Sequence, residues 1–297
     1  MKTFFTTVLC ALTIAANAQY FKDKGKTPQA VCMAKDLMYV EGDFNKDGIN
    51  DLFLGGTDIH TAFTYHYAFY FGNADGNYNL IKDFYNISIP PTAKFSINDK
   101  GVLRIQDDLD DIGSDIFLFR YQDDGFYLIG GKKDRHMSDN YDYSYNFSTK
   151  KYIKTTGEGK KAATETLKMS ALPTLKFGWF PLRWDMLEYI FDDKKDSEYK
   201  TVMGIIRLLQ EKNMLHPEFC DYYNENCFEL EGGNGVYHFN IEQKEMETFR
   251  HETLEFTKKS DDVWDIEQYY EYDDYDSISG GTESDSFSFE DGIFVFG

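Results

Sequence analysis

Turn signals recur at near-regular intervals through the first half of this chain, and they constrain its fold more than any other feature. Asp47-Gly48, Asp75-Gly76, Asp99-Lys100-Gly101 and Asp124-Gly125 separate short runs in which aromatic or aliphatic residues alternate with polar ones. A period of two buries one side of a strand and wets the other, and Asp-Gly pairs supply the positive-φ positions that tight hairpins need. The pattern predicts an antiparallel β-meander with strands over 37–41, 51–55, 62–71, 77–84, 101–106, 115–121 and 125–130. Residues 141–147 and 152–156 read as a further hairpin. The 22 Tyr and 26 Phe suit such half-buried pleated surfaces.

The pattern changes after Pro173. Residues 174–182 read as an irregular aromatic link, and 183–191 have helical spacing through Trp184, Leu187 and Tyr189-Ile190-Phe191. A stronger helix is predicted over 197–213, with Val202, Ile205, Ile206, Leu208 and Leu209 on one face, Asp196 or Ser197 as N-cap, and Pro217 beyond its end. Strands resume over 227–230, 235–240, 250–257 and 264–272, and a hairpin over 286–296 closes the chain. The fold class is therefore mainly β (α+β): a β-rich domain over 19–182, then a smaller α+β region over 183–297. The boundary near Leu182 could equally lie within one continuous body.

Within the meander, Gly42 to Leu52 places oxygen-bearing side chains at alternate positions around one glycine: Asp43, Asn45, Asp47 and then Asp51. Calcium takes six to eight oxygens at flexible geometry, and such a turn can wrap one ion. In that reading Asp43, Asn45, Asp47 and Asp51 give side-chain oxygens, Ile49 gives its backbone carbonyl, and Gly48 makes the sharp turn. Position 12 of the loop is Leu54, where an EF-hand needs a bidentate Glu, and Asp51 leads straight into the apolar run Leu52-Phe53-Leu54. The loop is thus expected to join strands rather than helices. The same residues also suit a solvated hairpin turn without an ion.

These residues resemble the FG-GAP repeat, the calcium-binding blade unit of integrin-type β-propellers and of many bacterial secreted proteins. The loop matches the repeat's Asp-x-Asn-x-Asp-Gly-x-x-Asp core, and Phe71-Gly72-Asn73-Ala74-Asp75-Gly76-Asn77-Tyr78 is similar to the turn that closes the same blade. The resemblance covers about forty residues, Val40 to Leu80, and includes one full loop motif. It implies a structural Ca2+ held by Asp43, Asn45, Asp47, Ile49 and Asp51. Phe119 to Gly130 is also similar to a segment that follows a single such repeat in bacterial secreted proteins.

The N-terminus reads as an export signal: Lys2, an apolar stretch from Phe4 to Ala15, and Ala16-Asn17-Ala18 before Gln19. A mature chain beginning at Gln19 would be secreted or periplasmic. No later segment approaches the roughly 18 apolar residues of a membrane span. Removal of residues 1–18 leaves Cys32, Cys220 and Cys227, of which the last two could form a bridge or remain ordinary thiols. Cys32 reads as a core residue.

With 51 acidic against 31 basic residues the net charge is −20, a field that repels nucleic acid and anionic lipid and attracts divalent cations. Catalytic signatures are sparse. His251-Glu252-Thr253-Leu254-Glu255 stops short of the His-Glu-x-x-His zinc helix and alternates like a strand. His60, His66, His136, His216, His238 and His251 are scattered without metal-ligand spacing. Asp107-Asp108-Leu109-Asp110-Asp111 lacks the glycine and alternation of a calcium loop. Tyr269 to Asp276, running into Ser277 to Gly281, sets carboxylates beside rings, as carbohydrate-active sites do, but also reads as a strand end entering an acidic loop. Two functions follow as expectations. One is a secreted calcium-stabilised, non-catalytic module that recognises a protein or glycan; the other is a glycan hydrolase using carboxylates of the acidic segments.

Overall fold

The computed structural model describes residues 20–57, 64–90, 92–136, 141–157, 162–215, 228–244, 248–274 and 277–296. Residues 1–18, read above as an export signal, and His60, His216, Pro217, Cys220 and Cys227 lie outside the described residues. The chain divides into two compact units, residues up to Lys168 and residues from Met169. Antiparallel sheets dominate both, with few helices.

In the first unit, β1 (Lys24–Gly25), β2 (Met38–Gly42), β3 (Asp51–Thr57), β4 (Tyr65–Gly72) and β5 (Tyr78–Phe84) form a sheet in the order β1-β5-β4-β3-β2. β2 to β5 are an up-and-down meander, and the Asp43–Asn50 loop joins strands, as the apolar run after Asp51 predicts. β3 is buried on both faces, so its sequence is a continuous apolar run rather than an alternation. On one side Leu52, Leu54, Ala68 and Tyr70 pack against Tyr20, Phe21, Val31 and Cys32 of the preceding segment. That segment includes the short helix α1 (Pro28–Val31), capped by Thr27. Burial pushes the Cys32 thiol up to about 11.

The other side of β3 and β4 meets a seven-stranded sheet made of β6 (Lys94–Ile97), β7 (Val102–Asp108), β8 (Gly113–Gln122), β9 (Gly125–Arg135), β10 (Tyr141–Asn146), β11 (Lys151–Thr156) and β12 (Ala163–Lys168), paired in sequence order. Aromatic rings form the seam. Phe69 stacks on Phe126 with centroids 3.5 Å apart, and Phe53 meets Phe95 edge-on at 5.2 Å. Three strands escape the sequence pattern. β1 has only two residues, β6 has four, and β12 is an exposed edge whose Thr and Glu residues show no apolar side.

The second unit holds a six-stranded antiparallel meander: β13 (Phe228–Gly233), β14 (Val236–Lys244), β15 (Thr248–Ser260), β16 (Val263–Asp274), β17 (Ser277–Glu290) and β18 (Ile293–Phe296). β16 and β17 continue through Asp274 and Ser277, where the sequence reads as a loop. Small Ser and Gly residues carry no apolar alternation, and the backbone ladder to β16 holds them instead. The segment Trp184–Phe191 is 3₁₀ rather than α-helical. Its buried Trp184, Leu187 and Ile190 recur every third residue, the period of the 3₁₀ turn.

Helix α2 (Ser197–Glu211) is capped by Asp196, whose carboxylate accepts from Tyr199 N at 2.8 Å. Its apolar face buries Val202, Ile205, Ile206, Leu208 and Leu209. Lys200 is fully buried as well, and its ammonium donates to Ser170 Oγ, Ala171 O and Ile190 O at 3.1, 2.7 and 2.8 Å. All three protons are matched, although burial lowers the pKa of this lysine. Lys200→Met would take the donor from three acceptors, the buried Ile190 carbonyl among them. Urea denaturation is expected to show a loss of about 3 kcal/mol, and a change under about 1 kcal/mol would show that the ammonium cage is not stabilising.

Candidate metal site in the β2–β3 loop

The loop between β2 and β3 is organised by its own carboxylates. Asp43 Oδ1 accepts from Lys46 N at 2.7 Å and Asp47 N at 3.1 Å, while its Oδ2 accepts from Gly48 N at 3.1 Å. Asn45 Oδ1 accepts from Asp47 N at 3.0 Å, and Asp47 Oδ1 accepts from Ile49 N at 2.8 Å. Asn45 Nδ2 donates to Asp47 Oδ2 at 3.1 Å. Side chains that hydrogen-bond their own following backbone in this way fix a turn without a regular ladder. Gly48 sits at φ +87°, a conformation a side chain would strain.

Asp51 behaves differently from the other three. It is fully buried; Oδ2 accepts from Phe44 N at 2.8 Å and Asn45 N at 3.2 Å, and Oδ1 accepts from Gly72 N at 3.0 Å. The carboxylate thus ties the start of the loop to the end of β4. Gly72 is required there, since a Cβ would stand 2.1 Å from the Asn50 carbonyl oxygen. Burial raises the Asp51 pKa, and the amides of Gly72, Phe44 and Asn45 pull it back.

Two contacts anchor the loop to the second sheet. Phe44 is buried, with its ring 5.9 Å from Phe69 and 5.3 Å from Phe126. Lys46 reaches across to the β6–β7 turn, where its ammonium donates to Asp99 O at 2.8 Å. The turn after β4 repeats the same chemistry: Asn73 Oδ1 accepts from Asp75 N and Asn77 N. The side chain of Asn77 and the Lys24 ammonium hold Asp75 down at about 2.

A lone-pair count tests the fit to a hard cation. A carboxylate has about four acceptor positions. Both positions on Asp51 Oδ2 are taken by amides, and its Oδ1 lies in the interior. Asp43 Oδ2, Asn45 Oδ1 and both oxygens of Asp47 each accept one bond within the loop, which leaves each oxygen another acceptor position. Asp47 is exposed, and Asp43, Asn45 and Ile49 are half-buried. The outer rim therefore has the oxygen donors calcium prefers, carried by two carboxylates and one amide. Among the described residues, no three His, Cys, Asp or Glu side chains are grouped to hold a metal ion. Asp51, which the motif places among the ligands, faces inward, and its orientation depends on an amide 21 residues away.

Among the described residues, His66, Glu252 and Asp108 of the remaining sequence candidates are held by neighbouring side chains or backbone. His66 is buried; its Nδ1 accepts from Asn86 N, and the rings of Tyr20 and Tyr85 lie 4.8 Å away. His251 and Glu252 alternate across β15, with Glu252 buried beside Gln268. Asp108 pairs with Lys94 at 2.5 Å. A cavity of about 10 Å³ in the second unit, lined by Trp179, Tyr189, Lys200 and Phe289 among others, has room for no more than a water molecule.

Asp51→Ala would strand three interior amides. The expected loss of stability is about 3–5 kcal/mol, measured by urea denaturation. A loss below about 1 kcal/mol would mean that water satisfies those amides equally well. No protein-family model, curated protein or solved structure matches the chain.

Proposed function

We propose that this chain is an exported, non-catalytic recognition module whose first unit is stabilised by calcium at the β2–β3 loop, with a protein or glycan as its partner. The observation that carries the reading is the loop's outer rim. Asp43, Asn45 and Asp47 are held in place by backbone amides and retain acceptor positions toward solvent. The Ile49 carbonyl completes the proposed donor set, while Asp51 serves as the internal clasp that holds the rim to β4. When bound, calcium would neutralise two neighbouring carboxylates and hold the loop against Phe44 and the β6–β7 turn. The role is structural. The charge of −20 favours divalent cations, and the stretch from Lys2 to Ala18 supports export.

An ion that binds the native state alone adds about 2.7 kcal/mol at a hundredfold excess over its dissociation constant. The melting temperature of the mature chain is therefore expected to rise by several degrees in calcium and to fall back with chelator. Asp47→Ala should abolish that difference while leaving the chelated melting temperature nearly unchanged. Identical melting in calcium and chelator would overturn the structural role, and a full calcium response in Asp47→Ala would remove Asp47 from the donor set.

A further inference from the structure

The far edge of β17 is open along part of its length. β17 pairs with β16 from Glu290 back to Ser277, but β18 covers only Phe287–Glu290. Among the described residues, no strand lies against the other edge of Thr282–Ser286, and all five residues are exposed. Asp291 and Gly292, both at positive φ, close a two-residue hairpin that makes Glu290 and Ile293 a hydrogen-bonded pair. Alternation along the ladder then points the N–H and C=O groups of Thr282, Ser284 and Ser286 outward. A row of backbone donors and acceptors in strand geometry accepts an added strand.

Charge selects the occupant. Glu283 and Asp285 project from one face of the sheet, on the same side as their cross-strand partners Tyr270 and Gln268. On the opposite face Glu267 and Glu271 flank Tyr269. All four carboxylates are exposed. Among the described residues, Lys258 pairs with Asp261 and Lys259 with Asp265 toward the other end of this sheet. A second copy would present the same acidic edge and be repelled. A neutral strand would leave the carboxylates unmatched, whereas a strand with cations at successive positions would send them alternately to the two faces.

We propose that the Thr282–Ser286 edge of β17 takes up an extended segment of a basic partner protein, with Lys or Arg at successive positions, as an additional antiparallel strand. This rests on the recognition reading but not on the calcium loop, so melting unaffected by chelator would leave it standing.

The test is fluorescence anisotropy of the full chain with a labelled decapeptide of Lys, Val and Thr. Saturable binding that weakens with salt is expected, and the peptide with Glu in place of Lys should not bind. Ser284→Pro removes one outward N–H without touching the ladder to β16 and should weaken binding at least about tenfold. Glu283→Gln with Asp285→Asn should weaken it several-fold and flatten the salt dependence. If Ser284→Pro disturbs folding, as seen by circular dichroism, a peptide N-methylated at alternate backbone positions tests the same ladder on the native protein. Binding that is unchanged by Ser284→Pro or by N-methylation would reduce the effect to charge adsorption and overturn the proposal. Absence of binding, or equal binding of the acidic peptide, would overturn it too and leave the carboxylates as a guard against strand pairing.

Discussion

The first unit depends on a carboxylate in its interior. Asp51 begins β3, is fully buried, and accepts hydrogen bonds from three backbone amides, two in the loop before it and one at the end of β4. An isolated buried charge is expensive, and three amide dipoles aimed at it are what make it tolerable. In return the β2–β3 loop is held at a fixed place on the sheet. Phe44 can then enter the aromatic seam, and Lys46 can reach the β6–β7 turn. One acidic residue thereby connects a turn, a five-stranded sheet and the face of a seven-stranded one.

The second unit solves the converse problem with the opposite charge. Lys200 is fully buried without a carboxylate on its ammonium, which donates to three neutral oxygens, those of Ser170 and Ala171 after β12 and of Ile190 in the 3₁₀ segment. In both units an interior charged group gathers polar groups from segments outside the strand ladders, Phe44 and Asn45 in the first and Ser170, Ala171 and Ile190 in the second. Both serve as fasteners for irregular chain, a task regular pairing cannot perform. The remaining cohesion is aromatic and aliphatic, as the seam of Phe53, Phe69, Phe95 and Phe126 and the buried face of α2 illustrate.

Much of the fold was legible because its strands obey a period of two and its turns use residues with a mechanism. The meander from β2 to β5, the hairpin of β10 and β11, and α2 with its Asp196 cap follow directly from those signals. β12 was not legible, since an exposed edge needs no apolar side, and the first half of β17 was not, since Ser and Gly advertise a loop. Trp184 to Phe191 carried the right helical signal at the wrong pitch, because a period of three is easily taken for 3.6. At the loop, residue types at alternate positions marked an oxygen-rich turn. They could not reveal that Asp51 turns inward, because that is decided by Gly72, far along the chain and on another strand. The rim of Asp43, Asn45 and Asp47 is local and was readable; the clasp is tertiary and was not.

Native-state hydrogen exchange at the amides of Phe44, Asn45 and Gly72 tests the Asp51 clasp most directly. The account predicts protection of all three comparable to that of the β3 and β4 core amides, because each donates to a carboxylate that water does not reach. Exchange of these amides near the rate of an unstructured chain, with β3 and β4 still protected, would contradict it.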